Sequence, residues 1–315
     1  MANVRIYSGS SGINNKLVAH RLPFDAKSGV AGLEAAYNVV IDKTGEVVTR
    51  RGTQQALDGA FHSLWPFLDS FFVVKDRPEE NDSAIYRGLV DAEGAVTLHG
   101  IRDGLSMGAK MSYCEVAGKV YYMNGSNLGK TDGEISSPWP VSVPIRDTEA
   151  EMIATFAGHH LDMLAGNFVF AKDDEVFFTE YGLWGLIRSA TARRRFESRV
   201  LMVCAVQSGV YVSDEHGVYF LQGNDPYKWQ ARKVLNYPAK EFCRVPGLID
   251  PSNVGLETTQ LSVMFGTVRG PVVGLPDGTA INLIDKAVTM LASCGGSHGG
   301  IMIVDDSLCI MSTEV

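Results

Sequence analysis

Gly209-Val210-Tyr211-Val212-Ser213-Asp214-Glu215-His216-Gly217-Val218-Tyr219-Phe220 is the stretch whose reading decides the fold. A glycine opens a short run of β-branched and aromatic residues, an acidic turn follows, and a second glycine opens another such run. These runs are too short for helices and rich in strand-favouring residues. A turn Asp bonds the turn backbone through its side chain while the flanking strands pair, so the stretch predicts a β-hairpin. The pattern recurs at 118–125 (GKVYYMNG), 166–178 (GNFVFAKDDEVFF) and 300–310 (GIMIVDDSLCI). Glycines 118, 166 and 209 stand roughly 45 residues apart, which matches the roughly 40–50-residue blade of a β-propeller.

Further hairpins fit the same ring: 71–74 with 84–87, and 272–273 with 280–283 around Pro276-Asp277-Gly278-Thr279. At about 50 residues per blade, 315 residues make about six degenerate blades. The last hairpin stops five residues before Val315, too soon for a four-stranded blade. Near the other end, 39–41 and 47–49 flank the turn Asp42-Lys43-Thr44-Gly45. If these strands complete the last blade, the N- and C-terminal strands close the ring and remove its exposed edges. The expectation is an all-β propeller at 36–315 preceded by an N-terminal arm at 1–35. Helical periodicity is scarce, with modest candidates at 29–37, 148–157 and 181–196.

Composition narrows the function. The 45% hydrophobic content excludes a disordered chain, and no apolar run approaches the roughly 18–20 residues that span a bilayer. The first residues carry no continuous apolar stretch, so the expectation is a soluble protein made without export and without membrane insertion. Residues 1–60 hold seven Lys/Arg against five Asp/Glu, a net +2, so within the chain's net −8 the body that follows carries −10. A body that acidic does not grip a nucleic-acid backbone, though it can surround DNA without holding it. The five cysteines are odd in number and form no C-x-x-C pair, which points to buried thiols in a reducing compartment.

His159-His160 is the only adjacent pair among seven histidines, and neighbouring strand residues face opposite ways, so the two do not easily share a metal unless further ligands come from elsewhere. Gly295-Gly296-Ser297-His298-Gly299-Gly300 fits neither a dinucleotide nor a nucleophile-elbow pattern. The acidic turns Asp173-Asp174-Glu175, Asp214-Glu215 and Asp305-Asp306 could be calcium ligands or glycosidase carboxylates. Catalytic pairs are singular, whereas turn residues recur with the architecture, so they read as turns rimming one edge. Arg193-Arg194-Arg195, with Arg188 and Arg199 nearby, is the dense basic patch, and it reads equally as a docking surface or a solvated connection. Trp65, Trp139, Trp184 and Trp229 fall in separate blades and read as core rather than sugar platforms. No catalytic residue, metal or cofactor is expected.

The N-terminal region resembles a family. Gly12-Ile13-Asn14-Asn15 is followed by Asn38-Val39-Val40-Ile41-Asp42-Lys43-Thr44-Gly45 and then by Arg50-Arg51-Gly52. This is similar to the opening of propeller-type virion proteins of tailed bacteriophages, found in tail nozzles, tail tubes and packaged-DNA stabilisation hubs. Those proteins often begin with Gly-x-Asn-Asn and an Asn-x-x-x-Asp-x-x-Gly hairpin ending in Arg-Arg-Gly or Arg-Pro-Gly. Gly12, Asn14, Asn15, Asn38, Asp42, Gly45, Arg50, Arg51 and Gly52 carry the resemblance. It implies a structural virion protein, made in the host cytoplasm and built into the tail with other tail proteins. It further implies a homo-oligomeric ring, a hexamer among the orders it admits, through which genomic DNA passes without specific binding. The alternative is a carbohydrate-binding or glycan-degrading propeller acting on the host surface.

Overall fold

The computed structural model describes residues 57–144, 156–188, 191–249 and 260–283, together with 9–13, 16–17, 21–22, 24–25, 30–33, 39–41, 47–49, 152–153, 298–304 and 307–313. The chain is all-β, a propeller in which the described residues form five blades of antiparallel sheet. Blade I runs through Phe61–Phe67, Ser70–Arg77, Asp82–Val90 and Val96–Leu105. Blade II comprises Ser112–Val116, Lys119–Met123, Leu128–Thr131 and Ser136–Ser137. Blade III comprises His160–Leu164, Asn167–Lys172, Glu175–Phe178 and Arg193–Arg195. Blade IV follows as Met202–Val206, Gly209–Asp214, Gly217–Gln222 and Gln230–Leu235, and blade V as Ala239–Ile249, Gln260–Thr267, Gly270–Gly274 and Ala280–Asn282. In each blade, strands consecutive in sequence are neighbours in the sheet.

Hairpin chemistry explains these pairings. Ala117-Gly118 and Ala165-Gly166 are two-residue turns with φ of 52° and 70°, and of 46° and 90°. Two positive φ values give the turn twist that matches paired strands, and glycine takes the second position at no steric cost. Gly209 plays another part. It opens the second strand of blade IV, where a Cβ would run into the Leu221 carbonyl oxygen. One repeating letter thus serves two purposes.

The first strands of blades II, III, IV and V pack successively against one another and form the inner wall. The core lies between blades rather than in one mass. Phe67, Phe72, Val74 and Ile85 of blade I meet Tyr113, Val120 and Tyr122 of blade II. A larger cluster joins blades II, III and IV through Tyr121, Phe168, Phe170, Phe177, Val203 and Val212. Tyr211 and Phe220 continue it toward Phe265 in blade V. A middle strand is covered on both faces, so Asn167–Ala171 is buried at every position instead of alternating. Each fully buried Phe contributes about 1.5–3 kcal/mol. Fourth strands see solvent, and Arg193–Arg195 is exposed throughout.

Several expectations are corrected. Within the helix candidates, Val30–Leu33, Met152–Ile153 and Arg193–Arg195 are strands, because each short run finds the edge of a neighbouring strand to pair with. Helical geometry among the described residues is limited to short 3-10 turns such as Pro226–Lys228, whose N-cap Asp225 accepts from the Tyr227 amide. Within the proposed arm, Gly9–Ile13 pairs in parallel with Val30–Leu33, which also pairs with Phe24–Asp25. The hairpin Val39–Ile41 with Val47–Thr49 forms as expected, but as a two-stranded sheet of its own. The terminal hairpin, His298–Val304 with Ser307–Thr313, joins blade V instead, through the parallel register pair Glu241↔His298. The cause lies in the first strand of blade V. Its pairing with Gln260–Thr267 slips between Ala239 and Arg244, with Phe242 at φ 56°, and this irregular stretch offers its other edge to the hairpin.

Candidate functional site

The basic patch occupies the outer strand of blade III, and its charges are largely spent. Arg193 Nη1 meets Glu175 Oε2 at 3.1 Å, Arg195 Nε donates to Asp174 Oδ2 at 2.7 Å, and Arg194 Nη2 donates to the Trp229 carbonyl at 3.0 Å. The Arg195 hydrogen bond holds the Asp174 carboxyl below its usual range. The acidic turn and the basic strand are therefore two sides of one staple. In blade IV the corresponding turn works as expected: Asp214 Oδ1 accepts from the amides of His216 and Gly217 at 2.8 and 3.0 Å. Asp305 and Asp306 lie outside the described residues. Of the family-like motif, Gly12 sits in the strand Gly9–Ile13. Asn14, Asn15, Asn38, Asp42, Gly45, Arg50, Arg51 and Gly52 lie outside the described residues.

The tryptophans meet between blades. Trp139 Nε1 donates to the Trp184 carbonyl at 2.8 Å, and both rings pack edge-on against Tyr121. Trp139 and Trp229 are buried, in line with a core role.

Titratable groups gather on the inner wall, on strands of different blades. Asp162 of blade III and Arg244 of blade V form an ion pair of 2.6 Å, with side chains 15% and 9% exposed. Arg244 Nη2 also donates to the Leu161 carbonyl at 2.6 Å, and Nη1 lies 3.4 Å from Cys204 Sγ. Asp162 accepts from the amides of Ala205 and Met163, both at 2.8 Å, and faces the Cys114 thiol at 4.0 Å. Burial opposes the charge on Arg244, but Asp162 outweighs it and the guanidinium stays ionised. Burial pushes the Cys204 thiol up to about 12 and raises Cys114 and Cys243 as well. These thiols are free and buried, so they are poor nucleophiles at neutral pH. The arrangement ties blades II to V together.

Beside this pair lies a cluster that the sequence reading did not foresee. His159 and His160 were expected on opposite faces, yet their ring centroids are 4.8 Å apart. The His159 amide donates to the Ala171 carbonyl, and Ala171 is also the register partner of His160. Two residues opposing one is the geometry of a bulge, which breaks strict alternation. Glu241 reaches the pair from the irregular first strand of blade V, its Oε1 3.6 Å from His160 Nε2. Arg199 Nη2 meets the same oxygen at 2.8 Å, and His159 Nε2 bonds the Val200 carbonyl at 2.7 Å. Burial pushes the His160 imidazole down to about 4 and lowers His159, so both are neutral at pH 7. Burial raises the Glu241 carboxyl, but the His160 ring and Arg199 outweigh it and keep it ionised. The only sequence signal was the histidine pair itself.

The chain matches no protein-family model and no curated protein. Among solved structures it is similar to the AfRom2 CNH domain at 11% identity and TM-score 0.36, covering 76% of this chain and 69% of that one. It is similar to Citrobacter koseri AztD at 10% identity and TM-score 0.33, covering 70% of this chain and 57% of that one. RS223-Beta-xylosidase matches at 12% identity and TM-score 0.31, with 70% of this chain and 94% of that one covered. These likenesses carry no argument about function, and the propeller assignment rests on the strand pairing.

Proposed function

We propose that this chain is a structural virion protein of a bacteriophage tail, part of a nozzle, tail tube or head-to-tail hub along the DNA exit path. The observation that carries the reading is the Gly12–Gly52 motif on a chain that folds as a propeller, the combination its resembled family uses. The use of the conspicuous groups agrees with a mechanical role. Asp174 and Glu175 staple an outer strand, Asp214 builds a turn, and Asp162 with Arg244 locks the inner wall. In this reading DNA passes between copies of the chain, not through one propeller. An assembly of subunits with acidic bodies repels phosphate and lets the genome slide.

The reading includes a homo-oligomeric ring, contact of the 1–35 arm with neighbouring tail proteins, and no catalytic role. A sixth blade and a closed ring also belong to the proposal. It needs no cofactor and places the protein in the virion. The test is mass spectrometry of purified phage particles, which should contain the chain at a fixed ratio to the other tail proteins. Particles lacking it would overturn the reading. So would turnover of host envelope glycan by the pure chain that disappears when one acidic residue is replaced.

A further inference from the structure

His159, His160 and Glu241 do no work in the proposed mechanical role. One donor atom from each lies within 4.8 Å of the others. A tetrahedral zinc ion with bonds of about 2.0–2.2 Å holds its donors roughly 3.3–3.6 Å apart. His160 Nε2 and Glu241 Oε1, at 3.6 Å, are already near that separation.

The hydrogen bonding points the same way. His160 Nε2 is buried and has no hydrogen-bond partner, while the whole residue is 1% exposed. Buried polar atoms in native folds are nearly always satisfied, so a nitrogen held 3.6 Å from its carboxylate, beyond hydrogen-bond length, leaves room for a ligand between them. His159 offers the complementary feature. A carbonyl only accepts, so the contact with Val200 places the proton on Nε2 and leaves the lone pair on Nδ1. A backbone carbonyl bonded to one ring nitrogen is the usual outer support of a histidine that binds metal through the other. Arg199, half exposed, supports Glu241 from the solvent side, where it can share the carboxylate or withdraw. Two imidazoles and one carboxylate suit a borderline transition cation, whereas calcium and magnesium ask for oxygen ligands throughout.

We propose that His159, His160 and Glu241 form a binding site for a divalent first-row transition cation that ties the first strand of blade III to that of blade V. Three protein donors leave a fourth tetrahedral position for water. The site stands independently of the tail-protein reading, since it rests on the cluster alone.

The full chain, stripped with EDTA, is titrated with zinc against a chromophoric chelator and separately with cobalt while its visible spectrum is followed. The expected result is one zinc per chain and intense cobalt d–d bands of low-coordinate nitrogen–oxygen ligation. Glu241→Gln and His160→Gln should each weaken zinc by about tenfold or more with unchanged far-UV circular dichroism. Should His160→Gln fail to fold, Glu241→Gln and the wild-type cobalt spectrum decide. Absence of those bands, or unchanged zinc affinity in Glu241→Gln, overturns the site.

Discussion

Replacing Asp162 by Asn removes the carboxylate from the ion pair that joins blades III and V, and the structure sets the size of the effect. Arg244 keeps its charge because Asp162 Oδ2 sits 2.6 Å away; its remaining partners are the Leu161 carbonyl and the Cys204 sulfur. A guanidinium 9% exposed cannot recover its hydration in place. Breaking a buried pair from one side costs about 3–5 kcal/mol, much of it the penalty on the charge left behind. The reverse change, Arg244→Met, should cost less, about 1–3 kcal/mol, because Asp162 keeps the amides of Ala205 and Met163. The double variant should then be less destabilised than the sum of the singles, as contacting residues are not additive. Urea unfolding followed by tryptophan fluorescence and circular dichroism measures all three, and Asp162→Asn should lower the melting temperature by on the order of 10 °C. If Asp162→Asn unfolds at the wild-type midpoint, or costs less than Arg244→Met, the inner wall is not locked by this pair.

His62 gives a pH prediction. Burial, helped by Lys110, holds its imidazole below the usual range in the folded chain, against the pull of Asp76. Below about pH 6.5 the unfolded chain therefore binds a proton that the folded chain refuses, and stability falls as pH drops through that window, by up to about 1.4 kcal/mol per unit. His62→Gln should make that slope shallower between pH 7 and 5, and an unchanged slope would count against it. Gly209→Ala should cost about 1–3 kcal/mol, because its Cβ meets the fixed Leu221 carbonyl. Gly118→Ala, at φ 70° with open space around it, should cost about 1 kcal/mol from backbone conformation alone, and equal losses of melting temperature would refute the distinction. Asp174→Asn breaks an exposed pair with Arg195 and should leave the melting temperature unchanged; a clear drop would make the rim part of the core.

The hairpins were legible because everything that makes a hairpin lies within about fifteen residues. Gly209–Asp214 with Gly217–Gln222, and Asn167–Lys172 with Glu175–Phe178, stand where the glycines, apolar runs and acidic turns put them. Blade size was legible too, since the glycine spacing is a property of the chain. Fourth strands such as Arg193–Arg195 were not, because a solvent-facing strand needs no apolar pattern and is defined only by the edge it pairs with. The same holds for what gathers on the inner wall. Asp162 and Arg244, or His160 and Glu241, are far apart in sequence and meet because blades III and V turn their first strands inward. A local bulge then turned two adjacent histidines the same way, against the alternation that a regular strand imposes. Hairpins and blade repeat thus follow from short-range turn chemistry written in the chain, whereas the ion pair, the histidine cluster and the seat of the terminal hairpin exist only once the blades are packed, because contacts between distant strands depend on how whole blades meet.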